Sequence, residues 1–298
     1  MNKYANIAVF LDGTGNNDFT KPVSGQTNVA RLWKACEAIH NSGDLTQNTL
    51  YRPGVGTNRT ERLRGSVRGA FLEDRVNAGL SFLKNEISIA KEDGFVPRVF
   101  IFGFSRGAYA ARCLASRLDY EVEFLGVWDT VKATVTGPDV SEVSPNVRSV
   151  FHAIAIDEHR KIFDVMHFKD SSKVVEVWFP GCHSDVGGGY PDGTLSYAPL
   201  NWIATEAKRH GLLLDESLIP SESDYEVDEP VIHDETKDNP LWKGLANLSF
   251  GSKFNRVITS SDYVYSSVVL LRVLGYSPDY LPQNCVVWNP GRNTSNIA

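Results

Sequence analysis

Short apolar runs that end in glycine, aspartate or histidine alternate along this chain with longer stretches whose apolar positions recur every three to four residues. The runs near 6–11 (NIAVFL), 98–104 (RVFIFGF), 122–128 (VEFLGVW) and 174–179 (VVEVWF) are nearly unbroken. They therefore read as strands buried on both faces of a parallel sheet. Helical spacing marks residues near 27–41, 71–91, 106–118, 145–160 and 197–210. Ala108, Ala111, Leu114 and Ala115 share one helix face, as do Leu200, Ile203, Ala204 and Ala207. Alternating elements of these lengths predict an α/β fold, a mainly parallel sheet covered by helices on both faces. The expected organisation is one domain over 1–298. Within it, the acidic, proline-punctuated stretch 214–240 forms a long loop, lid or linker, and the mixed runs of 241–298 extend the same domain.

The run into Gly103-Phe104-Ser105-Arg106-Gly107 carries the first chemical signal. Glycines two before and two after a serine let the chain reverse sharply from strand to helix, which leaves the hydroxyl exposed at the carboxyl edge of the sheet. The bland alternative is a tight turn with an inert serine. A nucleophilic serine needs a base and an acid that orients the base. Of the seven histidines, His183 is best placed, just past a strand end in the loop Cys182 to Tyr190, whereas His152, His159 and His167 fall in or near the helix expected around 145–168. Asp129 ends the run 122–128 and would project into the crevice at the strand carboxyl ends, where open α/β sheets bind ligands. The chain order Ser105, Asp129, His183 is that of an α/β-hydrolase. An N-cap or Asx turn also suits Asp129. Asp185 is a rival acid, more plausibly a brace for the histidine loop.

Asp12-Gly13-Thr14-Gly15-Asn16-Asn17 follows the first strand at once. The backbone N–H groups of Gly13 and Thr14, with that of Arg106 beside the serine, are the expected oxyanion donors. Asp12 would tie the turn. Arg52, Arg59, Arg62, Arg64 and Arg68 crowd the next polar stretch; Arg59, Arg62 and Arg64 are candidates for holding a phosphate or carboxylate headgroup, and a solvated basic loop is the competing reading.

FLDGTGNN, RPGVGT (52–57), GFSRGAYAAR (103–112), GVWDTV (126–131), HAIAIDEHR (152–160) and WFPGCHSDVGGGY (178–190) together resemble the DUF2235 family. This is the catalytic-domain family of Tle1-type type VI secretion lipase effectors. The six blocks keep their order from about residue 5 to 215. The resemblance implies an α/β-hydrolase fold, a Ser–Asp–His esterase and a phospholipid substrate. It puts the nucleophile on Ser105, the base on His183 and the acid on Asp129.

Composition adds limits rather than detail. Hydrophobic residues make up 42% of the 298 residues and charged ones 22%, which suits a globular enzyme with an ample core. The net charge of −6 argues against nonspecific nucleic-acid binding. Cys36, Cys113, Cys182 and Cys285 show no metal-ligand spacing and are expected as free thiols. No signal peptide or membrane span is expected, so synthesis in the cytoplasm follows, with secretion by a signal-less route compatible with it. An ester or phospholipid substrate is the expected partner, with peripheral membrane contact; the sequence names no immunity or secretion partner. The expected chemistry needs no cofactor or metal. Two other classes compete: a metal-dependent phosphoesterase that gathers Asp12, Asp129, His183 and Asp185, and a non-catalytic binding protein on the same fold.

Overall fold

A computed structural model describes residues 3–13, 25–41, 46–54, 67–132, 137–220, 231–238 and 254–288. Eight strands form one sheet: β1 (Tyr4–Leu11), β2 (Gln47–Arg52), β3 (Val96–Phe104), β4 (Val122–Trp128), β5 (Val147–Ala155), β6 (Val174–Phe179), β7 (Tyr263–Tyr265) and β8 (Val286–Trp288). Their order is β2-β1-β3-β4-β5-β6-β7-β8 and every neighbouring pair is parallel. The chain leaves β1 in one direction to reach β2 and returns in the other to reach β3. The carboxyl ends of β1 and β3 thus flank the switch point, where such sheets leave a crevice.

Alternation along the strands builds two cores. Ala8, Phe10, Phe100, Phe102 and Phe104 face one side, packed with α1 (Asn28–Asn41) and α5 (Tyr197–Arg209). Ile7, Val9, Leu11, Val99 and Ile101 face the other, packed with α2 (Val67–Glu92) and α3 (Arg106–Arg117). On the first face Phe10, Phe102, Phe124 and Phe151 form a ladder across four strands, with successive ring centroids 4.9, 5.7 and 5.1 Å apart. Aromatic rows of this kind add to simple burial and hold the strands in register. Short helices α4 (His183–Gly187), α6 (Glu235–Asp238) and α7 (Ser267–Val273) complete the α-helices among the described residues.

Four expected strands and four expected helices are found within a few residues of their predicted limits. The helix expected over 145–160 is instead the inner strand β5. Polar residues do not break an inner strand when they are satisfied there, and His152 is fully buried between two partners described below. β2 was not anticipated, because a half-buried edge strand with the sequence QNTLYR carries little periodic signal. The runs near 263 and 286 do extend the sheet, as β7 and β8.

Candidate active site

Ser105 stands between β3 and α3 with φ 59° and ψ −126°. This backbone conformation is disfavoured for a residue with a Cβ. It is locked from both sides: the Ser105 N–H donates to the Trp128 carbonyl at 3.0 Å, and its own carbonyl accepts from Tyr109 N at 3.2 Å and Val131 N at 3.3 Å. Gly107 allows the helix start to lie directly on the end of β1. A Cβ there would overlap the Leu11 carbonyl oxygen and stand 2.5 Å from that of Asp12.

The hydroxyl meets an imidazole. His183 Nε2 lies 2.8 Å from Ser105 Oγ, and His183 Nδ1 lies 2.5 Å from Asp129 Oδ2. With Nδ1 as the donor to the carboxylate, Nε2 is left to accept from the serine. The side chains come from the carboxyl ends of β3, β4 and β6, and all three residues are buried, with 5% or less of their surface exposed. The Phe104 and Phe163 rings flank the imidazole, with centroids 4.6 and 5.0 Å from it. They restrict its rotation and keep water from its faces.

Asp129 is held by more than the histidine. Arg256, itself buried, donates from Nη1 to Oδ1 at 2.5 Å and from Nη2 to Oδ2 at 3.0 Å. The Ala155 N–H also donates to Oδ1, at 3.0 Å. Burial by itself would push this carboxyl up, but the Arg256 guanidinium and the His183 hydrogen bond overcome it and hold the group well below the usual carboxylate range.

The loops that carry Asp129 and His183 are tied to β5 and to the segment that follows it. His152 Nε2 accepts from the Thr130 N–H at 3.1 Å, while its Nδ1 donates to Glu176 at 2.8 Å. Asp157 accepts from Gly181 N at 2.6 Å, and Glu158 from His183 N at 3.4 Å. Arg160 neutralises Glu158 through two nitrogens at 2.8 and 2.6 Å. The HAIAIDEHR block therefore braces both loops, a role that its composition did not announce.

Other expected residues are placed differently. Asp185 is engaged elsewhere: its carboxylate accepts from Cys182 N at 2.9 Å and from His233 N and Nδ1 at 3.1 and 2.7 Å, which fixes the turn into α4. Asp12 ties its own turn, accepting from Gly13 N at 2.6 Å, Thr27 Oγ1 at 2.7 Å and Tyr51 OH at 2.6 Å. The Gly13 N–H expected as an oxyanion donor is thus engaged by Asp12. Arg106 N opens α3 directly beside the serine. Thr14, Arg59, Arg62 and Arg64 lie outside the described residues, and Arg52 pairs with Asp74 at 2.8 Å. Of Asp12, Asp129, His183 and Asp185 only Asp129 and His183 come together. Among the described residues no group of three or more His, Cys, Asp or Glu side chains is arranged to hold a metal ion.

A family model described as the catalytic domain of Tle1-like phospholipase effectors of the type VI secretion system matches residues 5–121 and 116–206. The chain belongs to this family. Its fold is α/β, one parallel sheet with helices on both faces, and the family is described as the catalytic domain of phospholipase effectors. An uncharacterized protein of known structure from Pseudomonas aeruginosa is 21% identical, with a TM-score of 0.52 over 75% of this chain and 48% of that one. The structure of the Tle1 effector bound to the VgrG spike is 23% identical, with a TM-score of 0.36 over 63% of this chain and 52% of that one. The uncharacterized protein YEL023C of Saccharomyces cerevisiae is 31% identical over 123 residues, 38% of this chain and 17% of that protein. This Tle1-like chain spans about half the length of those two solved structures. Among the described residues no helix is long and apolar enough to cross a membrane.

Proposed function

We propose that the protein is a serine esterase that cleaves a lipid or phospholipid carboxylic ester by acyl transfer. The reading rests on one observation above all, the continuous line Ser105 Oγ, His183 Nε2, His183 Nδ1, Asp129 Oδ2 at strand carboxyl ends. Ser105 Oγ attacks the ester carbonyl as His183 Nε2 takes its proton. His183 then gives that proton to the departing alcohol, leaving an acyl group on Ser105; water, deprotonated by the same nitrogen, releases the acid. Asp129 holds the imidazole in the Nδ1–H tautomer and stabilises it while it is charged. The Arg106 N–H stabilises the tetrahedral oxyanion, a donor of this kind contributing about 3–4 kcal/mol. The lipid part of the reading is supported by family membership. We read the chain as one hydrolase domain in which 231–238, from the acidic stretch, is bound to the helix that carries His183.

The test is hydrolysis of short and long p-nitrophenyl esters and of a phospholipid vesicle, with and without EDTA, by wild type and Ser105→Ala. The expected result is EDTA-insensitive cleavage that the substitution lowers about 10³-fold or more, with preference for the longer acyl chains. Cleavage by Ser105→Ala at the wild-type rate would overturn the triad. A preference for the shortest soluble esters would remove the lipid substrate and leave the esterase.

A further inference from the structure

We propose that Arg256 is a positioning residue for the triad: its guanidinium fixes the Asp129 carboxylate and the Phe163 backbone around His183. The proposal rests on the serine esterase reading. Arg256 belongs to residues 254–258, beyond the span 5–206 that carries the family match, and it reaches 127 positions back along the chain to Asp129. Its contacts are complete at both terminal nitrogens. Nη1 donates to Asp129 Oδ1 at 2.5 Å and to the Ala155 carbonyl at 2.8 Å; Nη2 donates to Asp129 Oδ2 at 3.0 Å and to the Phe163 carbonyl at 2.6 Å. Four hydrogens thus meet four acceptors in the plane of a rigid fork, which a lysine cannot reproduce.

Three consequences follow from that geometry. Both carboxylate oxygens are pinned, so Oδ2 is presented to His183 Nδ1 without the freedom to swing away. The backbone of Phe163 is held by the same fork, and its ring packs edge-on against the imidazole with centroids 5.0 Å apart. The acid and the ring beside the base are therefore set by one side chain. Finally, a permanent cation beside the Asp129–His183 pair opposes its protonation. The other charged groups facing the pair are Glu158, near His183 N, and Arg160, which is paired to Glu158; His167 lies within the electrostatic reach of Arg256 and is paired to Glu176. With Glu158 and Glu176 both paired in this way, Arg256 is left as the cation bonded directly to the pair.

Removing that cation makes the pair easier to protonate, so the acid limb of the rate profile must move to higher pH. The experiment measures kcat and KM for p-nitrophenyl ester hydrolysis from pH 4 to 9 on the full chain, in wild type, Arg256→Gln, Arg256→Lys, Asp129→Asn, and Asp129→Asn combined with Arg256→Gln. We expect Arg256→Gln to shift the acid limb upward by about one pH unit or more and to lower kcat about tenfold to a hundredfold, with little change in KM. Arg256→Lys keeps the charge, so its limb stays in place while kcat falls less. Arg256→Gln lowers kcat by a smaller factor on top of Asp129→Asn than it does alone, because only the hold on Phe163 is then left to lose. An unmoved acid limb in a folded Arg256→Gln protein, or a fully additive loss in the double variant, would overturn the proposal. If Arg256→Gln does not fold, wild-type kcat in Arg256→Lys would overturn it and a reduced kcat with unchanged KM would support it. Ser105→Ala assayed alongside separates the two levels. Retained activity there defeats the triad itself, whereas an inactive Ser105→Ala with unaffected Arg256 variants defeats only the inference about Arg256.

Discussion

Ser105 is held in a backbone conformation that glycine adopts freely, so of two inactive variants the glycine one should be more stable than the alanine one. The comparison is between Ser105→Gly and Ser105→Ala. Both remove Oγ and its 2.8 Å bond to His183, so that loss cancels in the difference. Both keep the backbone bonds to Trp128, Tyr109 and Val131, so the turn remains at φ 59° and ψ −126°. Alanine keeps the Cβ and therefore the strain, roughly 1–3 kcal/mol for a non-glycine residue in such a region. Glycine relieves it, but its freer unfolded chain takes back about 0.5–1 kcal/mol. The net difference is about 1 kcal/mol in favour of glycine, which for a chain of this size raises Tm by about 2–4 °C. Calorimetry or circular dichroism of the two variants in the same buffer measures it. If Ser105→Gly melts at or below Ser105→Ala, the turn relaxes when the hydroxyl is removed, and the claim that the fold imposes strain at Ser105 is wrong.

Two further outcomes follow from packing and charge. Gly107→Ala forces a Cβ against the Leu11 and Asp12 carbonyls, which are backbone and cannot swing aside; we expect about 3 kcal/mol of destabilisation, read as a lowered denaturation midpoint, and loss of esterase activity, and a wild-type midpoint would disprove the close approach. His233 is raised above its ordinary value by its hydrogen bond to Asp185, which outweighs partial burial. A raised histidine contributes stability that is full below its unfolded pKa of about 6.5 and is lost as pH rises through the higher folded value. The Tm difference between wild type and His233→Ala should therefore shrink from pH 6 to pH 9, and a constant difference would show that the Tyr190 stacking, with centroids 3.9 Å apart, rather than the charge, holds this residue.

What could be read from the chain and what could not divide along a physical line. The turn at Ser105 is a local device: an apolar strand, glycines at fixed offsets and an alanine-rich helix lie within twenty residues, so its sequence states its geometry. Asp129 and His183 were legible for a topological reason. Parallel strands bring all their carboxyl ends to one edge, so polar residues at those ends converge even when 54 positions separate them. β5 was read as a helix, whereas an inner strand is defined by burial on both faces; the partners that make His152 acceptable there, Thr130 N and Glu176, lie on β4's exit and on β6. The state of Gly13 was not legible, because a side chain one residue away takes its N–H, a contest that composition does not decide.

Arg256 is the most instructive omission. In the run NRVITSS it follows no period, ends no strand and sits in no motif. Its role is created only when the segment after residue 253 closes over the carboxyl end of β5, bringing a fork of donors to a carboxylate already buried and already bonded to an imidazole. A buried arginine must find acceptors for nearly all its hydrogens, and two main-chain carbonyls with one carboxylate supply them. The same requirement runs in reverse. Asp129 without Arg256 would be a buried carboxylate that relies on a histidine whose charge changes during each proposed turnover, whereas the guanidinium stays charged throughout. The constant partner keeps the acid ionised and oriented while the variable one does the proton transfer. For this reason the C-terminal segment, although it lies outside the family match, should be treated as part of the catalytic unit when the chain is truncated or redesigned.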